Sequence, residues 1–331
     1  MSDISIIIPI LNEEKYIEKC LDSIIDSDYP KESMEILLID GGSQDKTIEI
    51  IKTYQQKYSF LKLLHNPKKI VPIAMNIGIQ EAKGKYIIRL DAHSFYPKEY
   101  FSKLIKYHHK LNADNVGGIV KTDVKNKTIK ANSIKFVLSH PLGVGNSDFR
   151  VGVDEVKEVD TVPFGCYPKS VFKKYGLYNE RLVRNQDIEL NKRIINGGGK
   201  IYLVPDIECT YYARENFTDL AKNNFANGKW NILTAYYTKT LNSLSFRHFV
   251  PLIFVLSLIL PLVGSVFYPK LIYISALSLI SYIALVIIIS IKINNRTTSI
   301  LYLIISFIVL HVSYGLGSIL GIWEVVKKGI K

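Results

Sequence analysis

Through the first 90 residues, short apolar runs alternate with stretches whose apolar positions recur at helical spacing. Ser5–Ile10 is one continuous apolar run, as expected of a strand buried on both faces of a parallel sheet. After Asn12-Glu13-Glu14, Ile17, Leu21, Ile24 and Ile25 mark one face of a helix. Met34–Ile39 repeats the strand signal and is followed by a helix over 47–58. Phe60–Leu64 reads as a third strand. The next helix carries Ala74, Asn76, Gly78 and Ala82 and stops at Gly84, and Tyr86–Leu90 is a fourth strand. The order β-α-β-α-β-α-β predicts an α/β fold, a doubly wound, mostly parallel, Rossmann-like sheet with right-handed crossovers. Beyond it the pattern predicts a helix over 97–111, a strand at 116–120, a helix over 130–138 and a Gly-rich loop at 142–145. A helix over 188–195, closed by Gly197-Gly198-Gly199, leads to a strand at 200–204, and Cys209–Tyr212 is placed near the sheet edge. Residues 214–237 are amphipathic, which suits either a helix in a membrane interface or one packed on the sheet.

From Phe249 the pattern changes. Residues 249–268, 271–291 and 300–323 are three apolar runs, each long enough for the ~30 Å hydrocarbon core. Tyr268, Tyr302 and Trp323 stand near their ends, where interface anchors belong. The chain therefore divides into a domain over 1–245, with halves 1–97 and 98–245, and a membrane domain over 246–331. Pro251 and Pro261 make the first run the candidate for a re-entrant segment, because three full spans would carry Lys327, Lys328 and Lys331 against the positive-inside tendency. His311 and the Gly315-x-Gly317 pair are expected to serve packing. Residues 247–331 hold seven Lys/Arg and one acid, Glu324, leaving 35 basic and 29 acidic residues in the first 246. Each part is thus net positive, which suits anionic lipid headgroups. No Lys/Arg stripe interleaved with aromatics points to nucleic acid. Cys20, Cys166 and Cys209 show no metal-binding spacing, and reduced thiols suit a cytosol-facing domain. With a strand beginning at Ile4, no signal peptide is expected. The expected location is the cell membrane, multi-pass, with the 1–245 domain cytoplasmic.

Candidate chemistry sits at the strand ends, where open α/β sheets bind ligands. Asp91 and His93 follow the fourth strand two residues apart, so in extended backbone both face one side. Together they suit a divalent cation that grips a diphosphate. The plain alternative is a turn with Asp91 as a cap. Asp40 ends the second strand before Gly41-Gly42, either as a nucleotide contact or as an Asp-Gly turn. Asn12 and Glu13 follow the first strand, either as ligand contacts or as the cap and first-turn acid of a helix.

Taken in order, Ile-Pro-x-x-Asn-Glu (8–13), Ile-Asp-Gly-Gly-Ser-x-Asp-x-Thr (39–47), Ala-x-Asn-x-Gly-x-x-x-Ala-x-Gly (74–84) and Leu-Asp-Ala-His (90–93) resemble the nucleotide-binding half of glycosyltransferase family 2, with its GT-A fold. Asp-Ala-His-Ser-x-Tyr-Pro (91–97) is similar to the ExoA-like branch, which builds surface polysaccharides. The resemblance covers roughly residues 4–245. It implies that Pro9, Asn12, Glu13, Asp40, Asn76 and Asp91 contact the nucleotide-sugar donor, and that Asp91 and His93 hold Mn²⁺ or Mg²⁺. Relatives mostly write Asp-x-Asp where His93 stands, and imidazole favours Mn²⁺ over Mg²⁺. Residues 161–180 resemble the family's second signature, and Asn185-Gln186-Asp187-Ile188-Glu189-Leu190 matches its Glu-Asp-x-Glu-Leu position, with Gln186 in place of Glu. This makes Asp187 the candidate catalytic base and Glu189 structural. Gly165, Cys166, Arg214, Lys229 and Trp230 are the candidates for acceptor or interface contacts. Gly228-Lys229-Trp230 is similar only in part to the Gln-x-x-Arg-Trp motif of processive relatives, since Ala226 and Lys229 depart from it. The activity so implied is inverting transfer from a nucleotide-diphospho sugar, UDP-linked by expectation, to a membrane-borne polyprenyl-diphosphate glycan. The competing readings are a polyprenyl-phosphate sugar synthase and a non-catalytic membrane scaffold that keeps the fold.

Overall fold

The computed structural model of the chain describes residues 2–145, 147–239 and 244–329. Its strands are β1 (Ile4–Ile10), β2 (Met34–Asp40), β3 (Leu61–His65), β4 (Tyr86–Arg89), β5 (Ser94–Phe95), β6 (Asn115–Asp123), β7 (Lys157–Glu158), β8 (Cys166–Pro168) and β9 (Ile201–Tyr212). The helices are α1 (Ile17–Ile25), α2 (Thr47–Lys57), α3 (Val71–Glu81), α4 (Tyr100–Leu111), α5 (Ile129–Val137), α6 (Pro141–Val144), α7 (Asp148–Val151), α8 (Lys169–Tyr175), α9 (Gln186–Asn196), α10 (Phe217–Thr238), α11 (Val250–Gly264), α12 (Ile272–Ile293) and α13 (Ile300–Gly329). The expected loop at 142–145 is mostly the single turn α6, and the two tracts at 200–212 are one strand, β9.

The chain forms two units: residues 1–121 with 148–212, and residues 122–147 with 213–331. In the first, the strand order is β3-β2-β1-β4-β8-β6-β9-β5, with β7 beside β9. The β3-β2-β1-β4 half is parallel, as its apolar runs predict. β8 runs antiparallel to both β4 and β6, so the sheet is mixed. β8 is only three residues long, so its direction comes from tertiary pairing and leaves no period in the sequence.

Alternation along β1 builds both cores. Ile6 and Ile8 join Ile17, Leu21 and Ile24 of α1 and Leu104 of α4 on one face. Ile7 joins Ala74, Met75 and Ile79 of α3 and Leu190 and Ile194 of α9 on the other. Gly78 lets α3 seat on β1, since a Cβ there would lie 2.5 Å from Ile7 Cγ2. Ile7 is β-branched and fully buried, so it has little room to yield. Gly78→Ala is expected to cost about 1–3 kcal/mol, read as a lower midpoint in thermal unfolding of the purified chain.

The second unit gathers α10 around the apolar helices. α10 packs along α13: Phe217 meets Tyr302 at 6.0 Å, Lys229 pairs with Glu324 at 2.6 Å, and Lys328 donates to the Tyr237 hydroxyl at 2.6 Å. Gly228 and Gly317 permit the close approach, because a Cβ on either would overlap a backbone carbonyl of the other helix. α5 and α6 belong here too. Val137 packs with Val286, Leu303 and Phe307, and His311 places Nδ1 on the Tyr282 hydroxyl (2.9 Å) and Nε2 on the Leu142 carbonyl (2.8 Å). His311 and Gly317 thus serve packing, and Gly315 does the same against Pro251 and Val255 of α11. Among the described residues, two helices are long and apolar enough to cross a membrane, 269–293 and 300–328. α11 has 15 residues, about 22 Å at 1.5 Å per residue, short of the ~30 Å core.

Candidate active site

The site lies at the carboxyl ends of β1, β2 and β4. β1 lies between the other two, so Asp40 and Asp91 flank its end. The loops after β1 and β2 are knitted together. Asn12 N donates to Ser43 Oγ at 2.9 Å, Gln44 N to Asn12 Oδ1 at 2.8 Å, and Glu13 N to Thr47 Oγ1 at 2.7 Å. Asn12 adopts φ 57°, a left-handed conformation that asparagine tolerates well. Pro9 pairs in register with Ile39 and is partly exposed.

The centre of the site is a residue that the strand pattern did not single out. Arg89, the last residue of β4, donates from Nη1 to Asp187 Oδ2 at 3.0 Å and from Nη2 to Asp91 Oδ1 at 3.5 Å. Burial opposes its charge, but Asp91 and Asp187 outweigh burial and hold the guanidinium above its ordinary range. Its backbone is fixed as firmly, with N on Gly165 O at 3.1 Å. Asp187 enters from the first turn of α9, where the positive helix end favours a carboxylate. Its Oδ1 accepts Ile188 N at 2.9 Å. α9 is held in place by Leu190 and Ile194 in the core and by Asn191, which donates to Thr161 Oγ1 at 2.8 Å. Glu189 pairs with Arg193 at 2.7 Å, a structural role.

Asp91 is positioned through its main chain. The Tyr96 hydroxyl accepts from Asp91 N at 3.0 Å and donates to Asp91 O at 3.1 Å. Tyr96 is 1 % exposed, and burial pushes its phenol far up, which keeps it neutral and able to do both. This contact accounts for a tyrosine five residues after the acid, a signal that was present in the Asp-Ala-His-Ser-x-Tyr-Pro motif. Beside it, His93 Nδ1 lies 3.2 Å from Glu13 Oε1. The ring is edge-on to Tyr211 at 5.0 Å and to Tyr16 at 6.3 Å.

Among the described residues no cluster of three or more His, Cys, Asp or Glu could form a metal cage. The chemistry of Asp91 and His93 nevertheless fits a divalent cation. Asp91 presents a carboxylate held only loosely by Arg89, and a carboxylate on one imidazole nitrogen is how a ligating histidine is oriented. Two protein donors leave the remaining positions to phosphate oxygens and water.

The remaining candidates stand outside the Arg89 cluster. The Asp40 carboxylate serves its own turn, accepting from Gly42 N (2.8 Å), Ser43 N (3.1 Å) and Ser43 Oγ (2.6 Å), so it does not join the Arg89 cluster. Asn76 is 4 % exposed, and its amide is taken by the 178–180 turn: Oδ1 accepts Tyr178 N, and Nδ2 donates to Tyr178 O and Glu180 Oε1. It braces that turn. Cys166 is corrected from an acceptor contact to core. It is fully buried between β4 and β6, and burial pushes its thiol far up. Gly165 is buried as well, with Asn115 Oδ1 and the Tyr167 ring filling the space of a Cβ. The preceding Phe164 has φ 48°, a strained conformation for a bulky residue, at the turn whose next carbonyl holds Arg89. In the second unit, Arg214 is exposed, Lys229 is paired with Glu324, and Trp230 is partly buried on α10.

Comparison with known proteins gives these arrangements a setting. The sequence profile described as Glycosyl transferase family 2 matches residues 5–176. A Methanococcus voltae protein described as dolichyl N-acetyl-alpha-D-glucosaminyl phosphate 3-beta-D-2,3-diacetamido-2,3-dideoxy-beta-D-glucuronosyltransferase is 35% identical over 236 residues, 69% of this chain and 72% of that one. The succinoglycan biosynthesis protein ExoA of Rhizobium meliloti is 30% identical over 226 residues, 68% of this chain and 67% of that one. Among solved structures, a mannosyltransferase from Pyrobaculum calidifontis in complex with GDP-Man and Mn²⁺ superposes with a TM-score of 0.61 at 13% identity, covering 98% of this chain and 90% of that one, a likeness of fold.

Proposed function

The chain belongs to glycosyltransferase family 2, and on that premise we propose that it is an inverting transferase with Asp187 as the base and a lipid-linked sugar hydroxyl as the acceptor. The observation that carries the reading is the Asp91–Arg89–Asp187 bridge, which sets the candidate base beside the carboxylate of the donor end. The donor is a nucleotide-diphospho sugar, its nucleoside lying against Pro9, Asn12, Glu13 and the Asp40 turn. Asp91 and His93 would hold Mn²⁺ or Mg²⁺, and such a cation, when bound, offsets charge on the departing diphosphate. Asp187 accepts the proton of the acceptor hydroxyl as that oxygen attacks the anomeric carbon opposite the leaving group, so the centre inverts. Arg89 holds the Asp187 carboxylate in place, and the first turn of α9 favours its charge.

The M. voltae relative is named for an acceptor that is a dolichyl-phosphate-linked N-acetylglucosamine. A sugar hydroxyl of that kind needs a base, whereas the bare phosphate used by a polyprenyl-phosphate sugar synthase needs little help. The membrane reading rests on the helices 269–293 and 300–328. With two spans, Lys327 and Lys328 return to the side of the segment preceding α12, which we place in the cytoplasm with the catalytic unit, in keeping with the positive-inside tendency. The test is a donor screen: full chain in membranes, a panel of nucleotide sugars, and a lipid-linked acceptor, with and without EDTA. Transfer that EDTA abolishes and Mn²⁺ restores is the expected result. Nucleotide binding without turnover on any donor would support the scaffold instead.

A further inference from the structure

Arg150 lies in α7, in the first unit, and no role has been assigned to it. A guanidinium offers five N–H donors, yet among the described residues no hydrogen bond or ion pair engages this one. The nearby acid, Asp148, is committed to Lys157 at 2.8 Å. What holds Arg150 is aromatic: its guanidinium carbon lies 5.5 Å from the Phe149 ring centroid and 5.6 Å from that of Tyr211. Rings stabilise the cation but do not satisfy its in-plane donors. Burial pushes the guanidinium below its ordinary range, with only Tyr211 and Cys209 acting the other way. The side chain is half-buried, and an anionic ligand would supply the counter-charge that its surroundings do not. The position names the ligand. Tyr211, which carries Arg150, also sits 5.0 Å from His93, and Tyr212 N donates to His93 O at 3.3 Å. Arg150 is thus tied through β9 to the phosphate end of the site.

We propose that Arg150 binds the oxyanions of a phosphate ester, its planar fork matching two phosphate oxygens at once. Two sources share this chemistry: the diphosphate of the donor and the phosphate of a lipid-linked acceptor. The choice of ligand rests on the transferase reading above. The experiment is isothermal titration of the full chain in detergent, wild type against Arg150→Met and Arg150→Lys, with two probes: inorganic diphosphate with Mn²⁺, and a short-chain prenyl phosphate. Methionine keeps the apolar stem on the two rings, so folding is checked by an unchanged thermal midpoint. Arg150→Met is expected to bind one probe about 10- to 100-fold more weakly, with lysine in between. Loss of diphosphate binding identifies the donor as the source, and loss of prenyl phosphate binding the acceptor. Unchanged affinity for both probes, or a wild type that binds neither, would overturn the proposal. Binding by the wild type without sugar transfer would overturn the transferase reading and leave the anion site standing.

Discussion

Asp187→Asn is expected to lower kcat by about 10²- to 10⁴-fold, the usual contribution of a positioned general base, with donor KM nearly unchanged. Asparagine is isosteric here. Its carbonyl oxygen can still accept from Ile188 N or from Arg89, so α9 and the Arg89 side chain keep their places. What it cannot do is take the acceptor proton. The measurement is single-turnover transfer to a lipid-linked sugar at saturating donor. Survival of most activity would point to a phosphate acceptor and sink the assignment of Asp187 as base. A parallel Glu189→Gln variant, which disturbs only the Arg193 pair, should retain kcat and separate loss of the base from loosening of α9.

The second large effect is expected at Arg89. Arg89→Met leaves Asp91 and Asp187, one on each side of the former guanidinium, with no cation between them. Breaking a buried pair by deleting one partner costs about 3–5 kcal/mol, and the partial exposure of both carboxylates brings this toward the lower figure. A loss of about 100-fold in kcat/KM is therefore expected. Arg89→Lys should recover only part of it, since one ammonium cannot reproduce a fork that touches two carboxylates. If Arg89 works by placing Asp187, the two changes will not add: Arg89→Met with Asp187→Asn should be little worse than Asp187→Asn alone. Full additivity would show that Arg89 acts independently of the base.

The two residues differ in how they are read from sequence. Asp187 is legible because residues 185–190 resemble a family motif. Arg89 is not legible in the linear pattern, because one charged residue at the end of an apolar strand looks like a solvated edge, and its partner is 98 positions away. Tyr96 lay in view inside a quoted motif, but nothing in a linear pattern says that a phenol five residues on will grip the backbone of Asp91. Asn76 shows the reverse case. Its residue type suits ligand binding, yet its hydrogen bonds go to the 178–180 turn. Cys166 stood in a signature stretch and proved to be core because β8 inserts between β4 and β6.

By itself the amino-acid order determined the parallel half of the sheet, the placing of carboxylates at its strand ends and the apolar character of the last three helices. Each of these is a local matter: burial on two faces writes a continuous apolar run, and burial on one face writes a period. Tertiary structure alone decided the antiparallel course of β8, the packing of α10 along α13 and the meeting of Asp91 with Asp187 on Arg89. Those outcomes depend on contacts between segments far apart in the chain, and a pairing energy shared between distant side chains leaves no periodic trace near either one.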